Sequence, residues 1–183
     1  YSAAGPNSPS QKDYPAYMDR AGESPRGLHA IRVLSNRKGF TIDSLVAAAY
    51  DTYLTAFDEL LPPLLAACRA EPASSPLKAR IASQVAVLGT WDRRWSVDSV
   101  PTALAVYWCE QLWRAAQLEP VEAVSAYHAL IAKLKPTQYL AALAAASDKL
   151  STDFGTWKTP WGMINRFQRL TGDRVQRFDD AAP

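Results

Sequence analysis

The stretch that decides the fold is GTWDRRWSVDSVPTALAVYW, residues 89–108. Its second half predicts a helix, because Ser99 is a good N-cap and Pro101 suits the first turn. The ALAVYW segment, 103–108, has no polar face, which is typical of a helix buried on most sides. We expect this helix to end near Gln117.

The first half of the stretch, WDRRW at 91–95, combines tryptophan with arginine and resembles a nucleic-acid-binding cluster. Two arginines are few, however, and Asp92 and Asp98 offset their charge. The whole chain has a net charge of only +2, from 20 basic and 18 acidic residues. We therefore predict no nucleic-acid partner, and we interpret WDRRW as a turn in which tryptophans seal helix ends and arginines pair with carboxylates.

Size and composition indicate one globular domain. The chain has 183 residues, of which 48% are hydrophobic, which is ample for a core. No apolar run approaches the roughly 20 residues of a spanning helix, so no membrane partner is predicted, and the first residues lack a signal-peptide pattern. The two cysteines, Cys68 and Cys109, lie in apolar helical stretches and are expected to be small buried groups. A disulfide between them stays open, and no metal site or cofactor is predicted.

Helix signals begin with the Ser-Pro pair at 24–25, an N-cap followed by a proline at the first helical position, and Gly39 is a stop signal. From Thr41 a longer helix is predicted, because apolar residues recur at steps of four and three as far as Leu64. A break or kink is expected at the Pro-Pro pair 62–63, since proline lacks the amide donor that a helix interior needs.

Later segments complete an all-α prediction with six helices and no convincing strand. The remaining helices are expected at 76–89, 99–117, 121–134 and 137–150. We divide the chain into an extended, Pro/Gly/Ser-rich loop at 1–24, a helical domain at 25–150, and an irregular tail with short strands or turns at 151–183.

The residues alone indicate few catalytic candidates. His29 and His128 are the two histidines, and neither lies in a serine–histidine–aspartate pattern, so packed or surface roles are favoured over a general base. Neighbouring positions on a helix point in different directions. The acidic pairs at 58–59 and 179–180 are therefore interpreted as solvated charges.

Five segments together carry a resemblance to a known family. They are DYPAYM at 13–18, SPRGLHAIRVLSNRKGFTIDSLVAAAYDTYL at 24–54, LLPPLLAA at 60–67, LGTWDRRWSVDSVPTALAVYW at 88–108, and DFGTWKTPWGMINRFQRLTGD at 153–173. In this order they resemble the penicillin amidase family of the N-terminal nucleophile hydrolase superfamily, whose members include penicillin, cephalosporin, aculeacin and homoserine-lactone acylases. The resemblance spans essentially the whole chain.

The resemblance implies an enzyme that cuts its precursor to expose a serine at the start of a large chain. The serine's own α-amine is the base, and an acyl-enzyme forms and is hydrolysed. Tyr1 cannot be this nucleophile, and Ser2 lies one residue too far in. We therefore expect the helical portion of the large chain of an αββα hydrolase, inactive alone, whose tail leads back to the core.

The same resemblance implies the partners and the location. The partners are the small chain and the remaining catalytic core of the acylase, and the substrate is a small amide. The location is periplasmic or secreted. An antibiotic side chain, a fatty acyl group and a lactone signal stay open as substrates. A non-catalytic helical interaction module is the alternative function.

One site residue follows from the family pattern. Its arginine that organises the catalytic asparagine and the oxyanion site corresponds best to Arg26, with Arg32 as second choice. A cation at a helix N-terminus opposes the helix dipole, which suggests a specific partner, while an ordinary exposed arginine stays open. Asn7 is not assigned as the asparagine, because Pro6 and Ser10 disturb the register.

Overall fold

The computed structural model describes residues 11–15, 17–18, 22–35, 37–121 and 123–166. The all-α prediction is confirmed: the described residues form helices without a strand, apart from one isolated bridge between Tyr53 and Arg94. A short 3₁₀ turn, Gln11–Asp13, precedes the helices. They are α1 (Pro25–Leu34), α2 (Ile42–Ala49), α3 (Ala56–Ala70), α4 (Pro76–Arg80), α5 (Ala82–Gly89), α6 (Val100–Ala116), α7 (Val124–Lys133), α8 (Pro136–Phe154) and α9 (Trp161–Ile164).

The core lies where α6 and α3 pack against α8. Each helix contributes leucines at helical spacing, and burying one such side chain stabilises the fold by about 1.5–3 kcal/mol. Trp108 of α6 is fully buried, and its indole N–H donates to the Tyr139 carbonyl of α8 at 3.1 Å. The fully buried leucines include Leu60, Leu61, Leu64, Leu104, Leu112, Leu140, Leu143 and Leu150.

The limits predicted for α6 are confirmed. The Ser99 hydroxyl accepts from the Thr102 amide at 3.2 Å, and Gln117 ends the helix with a left-handed backbone (φ 52°). Ala103, Leu104 and Ala105 are fully buried. Local capping and the missing polar face therefore define this central helix.

The long helix predicted from Thr41 is wrong. Thr41 does cap α2, but the chain leaves the helix at Tyr50 and starts α3 only at Ala56. The backbone between them bonds to another segment instead: the Leu54 amide donates to the Arg93 carbonyl at 2.8 Å, and the Trp95 amide donates to the Thr52 carbonyl at 3.1 Å. Tertiary hydrogen bonds thus replace helical ones.

A break at Pro62-Pro63 is also wrong, because α3 continues through both prolines, whereas a kink there stays a prediction. Leu60, Leu61 and Leu64 are fully buried on either side of them, so core packing holds the helical path. Pro62 itself is exposed, so its ring lies at the surface of the helix.

Later elements differ from the prediction in smaller ways. The helix expected at 76–89 is divided at Ile81 into α4 and α5, and α8 passes the predicted boundary at Leu150. It ends at Gly155, whose left-handed backbone (φ 81°) suits glycine. Residues 155–166 form turns and α9 rather than strands, whereas 167–183 lie outside the described residues. The division into three segments stays a prediction.

Helices α1 and α2 lie at the edge of the helical body, and neither fully buries a side chain. On α2, Ile42, Leu45 and Val46 are at least half exposed. No helix in the described ranges is long and apolar enough to cross a membrane.

Candidate functional site

The WDRRW turn packs against the segment between α2 and α3, to which it is joined by backbone hydrogen bonds. Trp91 is buried, meets Phe57 edge to face at 5.2 Å, and donates its indole N–H to the Arg94 carbonyl at 2.9 Å. Arg93 has a left-handed backbone (φ 62°), which is uncommon for residues other than glycine. Trp95 is 43% exposed. The sealing role predicted for both tryptophans therefore holds for Trp91 alone.

Both arginines of WDRRW pair with carboxylates, one in that segment and one in the first turn of α3. Arg94 donates to Asp51 at 3.0 Å, and the Arg93 Nε atom lies 3.3 Å from an oxygen of Asp58. From α1, Arg32 also donates to Asp58, at 3.0 Å. The interpretation of Asp58 as a solvated charge is wrong, because Arg93, Arg32 and the Tyr53 hydroxyl all contact its half-buried carboxylate.

Tyr53 lies at the centre of these charges. Its hydroxyl donates to Asp58 at 2.5 Å, and its backbone amide donates to Asp51 at 3.1 Å. The Arg32 guanidinium lies 4.1 Å from the centre of the ring, and the His29 ring stacks on it with centroids 6.1 Å apart. The aromatic face thus joins α1 to the start of α3 through cation–π and stacking contacts.

These contacts shift two pKa values. Burial acts to raise the pKa of Asp51, but the Tyr53 amide, Arg94 and His29 outweigh it and hold that pKa below its ordinary value. The pKa of Arg32 is raised, first by its interaction with Tyr53 and then by that with Asp58, against some desolvation. Asp51 therefore stays ionised and Arg32 stays protonated at neutral pH.

The histidines have the packed and surface positions that the sequence predicted. His29 is mostly buried, with Nε2 at 3.2 Å from an oxygen of Asp51, but the ring is not aligned for a hydrogen bond. Its Nδ1 atom has no hydrogen-bond partner among the described residues. His128 is exposed and lies 3.8 Å from Glu59. His29 is therefore held by its contact with Asp51 and by stacking on Tyr53.

Beside this cluster lies a groove of about 1030 Å³ between α1, the 49–60 segment, α6 and the start of α7. Its walls are largely apolar, with Phe57, Leu60 and Trp113 among them, while Glu110 and Arg114 bring charge to the lining. A large apolar groove with a few polar groups is the common form of a small-molecule site.

Cys109 lines the same groove but is a poor nucleophile. Burial raises the pKa of its thiol to about 11, and a hydrogen bond with Trp113 opposes this only in part. Cys68 is also a free thiol, so the structure contains no disulfide between the two. Within the described ranges no three histidine, cysteine or acidic side chains could hold a metal ion.

Arg26 is the second residue of α1, after the Ser24 cap and Pro25, and it is exposed at the edge of the groove. It precedes His29 by three positions, so the two side chains are neighbours on one helical face. Arg32, the second choice, is committed to Asp58 and Tyr53. Asn7 lies outside the described residues.

The comparison with known families is decisive for the chain as a whole. A profile described as penicillin amidase matches residues 2–180. The chain belongs to the penicillin amidase family. A search of curated proteins gives no match.

Membership in the penicillin amidase family confirms the resemblance that the five segments suggested, and it indicates an acylase-related origin. Two of those segments, SPRGLHAIR and WDRRW, meet at the cluster around Tyr53. Sequence reasoning missed Tyr53 because its spacing fits the apolar stripe of one long helix, and with it missed Asp51. Nothing in the sequence Asp-Thr-Tyr at 51–53 indicated by itself that the helix would be interrupted there.

Proposed function

We propose that this chain is the helical part of the large chain of an acylase that hydrolyses a linear amide. The attacking serine would be the first residue of that large chain, outside the sequence described here. The observation that supports this most is the family match over 2–180. In such an enzyme the serine attacks the amide carbonyl, the amine leaves with a proton, and water releases the acid from the acyl-enzyme.

Arg26 would be the arginine that organises the oxyanion site. Its position supports this, because it lies at the helix N-terminus, where the helix dipole opposes a cation, and at the edge of a groove. A guanidinium there can donate to a developing oxyanion or hold an amide side chain that does so. Preorganised donors of this kind contribute about 10²–10³ to kcat.

The groove would form part of the wall around the acyl pocket, because its lining is largely apolar. Penicillin, fatty-acyl and acyl-homoserine-lactone substrates all carry acyl groups that such a wall could contact. The partners of this segment would be the small chain and the remaining core of the large chain. We infer an exported enzyme, periplasmic or secreted, from the family alone.

The test compares variants of the complete processed acylase with a chromogenic acyl anilide. Arg26→Ala is expected to lower kcat about 10²-fold with little change in KM, and Arg26→Lys to recover part of the loss. Arg69→Ala is the matched control, because Arg69 is an exposed arginine in the last turn of α3 and does not line the groove. A wild-type kcat in Arg26→Ala would overturn the assignment. The 183-residue chain alone is expected to release no product.

A helical interaction module is the second candidate function. The exposed apolar residues of α2 favour it, because a partner protein could cover them. The gene sequence upstream separates the two. A Gly-Ser or similar cleavage junction followed by about two hundred residues of strand-rich sequence supports the acylase. An ordinary start codon near Tyr1 supports the module.

A further inference from the structure

We propose that Tyr53 is a positioning residue that fixes α1 and thereby places Arg26. This inference rests on the proposed role of Arg26. The first observation concerns how α1 is attached to the rest of the molecule. None of its side chains is fully buried, so contacts at the surface of the helix help to set its orientation.

Two side-chain attachments of α1, those of His29 and Arg32, converge on Tyr53 and its carboxylate neighbours Asp51 and Asp58. His29 stacks on the Tyr53 ring, with an angle of 14° between the planes, and contacts Asp51. One turn later, Arg32 covers the same ring and donates to Asp58. Two successive turns of α1 therefore rest on one aromatic side chain, which restrains both the rotation and the tilt of the helix.

Tyr53 is itself held by contacts outside α1. Its hydroxyl donates to Asp58 at 2.5 Å, and the backbone bridge to Arg94 fixes its main chain. The Arg94 guanidinium lies 5.7 Å from the centre of the ring, and Arg93 reaches the hydroxyl at 3.5 Å. The ring thus presents a preorganised surface to α1.

Arg26 lies three residues before His29, which is about 4.5 Å along the helix axis. Arg26, His29 and Tyr53 all line the same groove. A change in the rotation of α1 at His29 would therefore move the Arg26 guanidinium directly. Displacements of about 1 Å in a catalytic group can cost 10²-fold in rate.

The experiment uses the complete processed acylase and the same chromogenic anilide. Tyr53→Leu is expected to lower kcat by roughly 10- to 100-fold with KM changed less than about threefold. Tyr53→Phe, which keeps the ring that His29 and Arg32 contact, is expected to restore most of the rate. Tyr50→Leu is the matched control, because Tyr50 is 79% exposed three residues away.

The decisive readout is non-additivity with Arg26→Ala. If Tyr53 acts through Arg26, then Tyr53→Leu combined with Arg26→Ala has the kcat of Arg26→Ala alone. A further drop equal to the single effect of Tyr53→Leu would overturn the inference. A wild-type kcat in Tyr53→Leu together with a reduced kcat in Arg26→Ala would also overturn the inference. That result would still support the proposed function of Arg26.

A full rate in Arg26→Ala overturns the proposed function and this inference together. If Tyr53→Leu does not fold, Arg32→Met takes its place, because Arg32 is more than half exposed and its loss removes one contact of α1 with the ring. It is expected to lower kcat by about tenfold, again without adding to Arg26→Ala. A full rate in Arg32→Met would overturn the positioning role in that case.

Discussion

The hydrogen bond between Gln84 and Ser147 is expected to show an asymmetric response to mutation. It joins α5 to α8 inside the core: the Gln84 amide donates to the Ser147 hydroxyl at 2.8 Å, and the side chains are only 6% and 7% exposed. The amide oxygen of Gln84 has no partner in the described structure. The Ser147 hydroxyl is therefore the hydrogen-bond partner of the Gln84 side chain in the described structure.

Ser147→Ala is expected to lower the free energy of unfolding by about 1–3 kcal/mol, because it leaves a buried amide with neither donor nor acceptor satisfied. For a chain of this size, this corresponds to a fall in Tm of about 2–4 °C per kcal/mol. Gln84→Met is expected to cost less, because a helical serine hydroxyl can donate to the carbonyl four residues earlier. The double variant is expected to lie within about 1 kcal/mol of the wild type, since both polar groups are removed together.

Urea titrations followed by circular dichroism give the four free energies of this cycle. Leu143→Ala, in the same helix, is a positive control for core damage, with a loss of about 2.7–5 kcal/mol expected. The reasoning is refuted if Ser147→Ala stays within 0.5 kcal/mol of the wild type, a margin typical of surface substitutions. It is also refuted if the double variant is as unstable as Ser147→Ala.

Three more experiments address other regions. Gly162→Ala is expected to lower the free energy of unfolding in urea titrations by about 1–3 kcal/mol, because the new Cβ would lie 2.9 Å from the Val97 carbonyl oxygen. Gly89→Ala is the control, because a Cβ there would have no contact under 3.7 Å. Equal stabilities of the two variants would contradict the contact with Val97. Iodoacetamide at pH 8 is expected to modify Cys109 on the order of 100-fold more slowly in the folded chain than in urea, because burial raises the pKa of the folded thiol to about 11. Similar rates in the two states would contradict the burial of Cys109. Stability is expected to fall below about pH 4. The lowered pKa of Asp51 means that its carboxylate stabilises the fold above its unfolded pKa, and that this contribution is lost as pH falls through the folded value. Asp51→Asn is expected to weaken this pH dependence. An acid transition that the variant leaves unchanged would contradict the contribution of Asp51.

The sequence by itself determined the helical class and the central helix. Ser99, Pro101 and the unbroken apolar run at 103–108 act within a few residues, so capping and burial could be predicted without knowing the rest of the fold. The same holds for Ser24, whose side chain caps α1 as expected. The family could also be inferred from the order of its segments, and with it the choice of Arg26.

Only the tertiary structure decided where the long predicted helix divides and which charges meet. The amide of Leu54 donates to Arg93, 39 positions along the chain, and no local period encodes that bond. Tyr53 therefore leaves the apolar stripe on which its spacing placed it and becomes the contact point of α1. Side chains that are distant in sequence acquire their chemistry from backbone hydrogen bonds and packing formed only when the helices assemble.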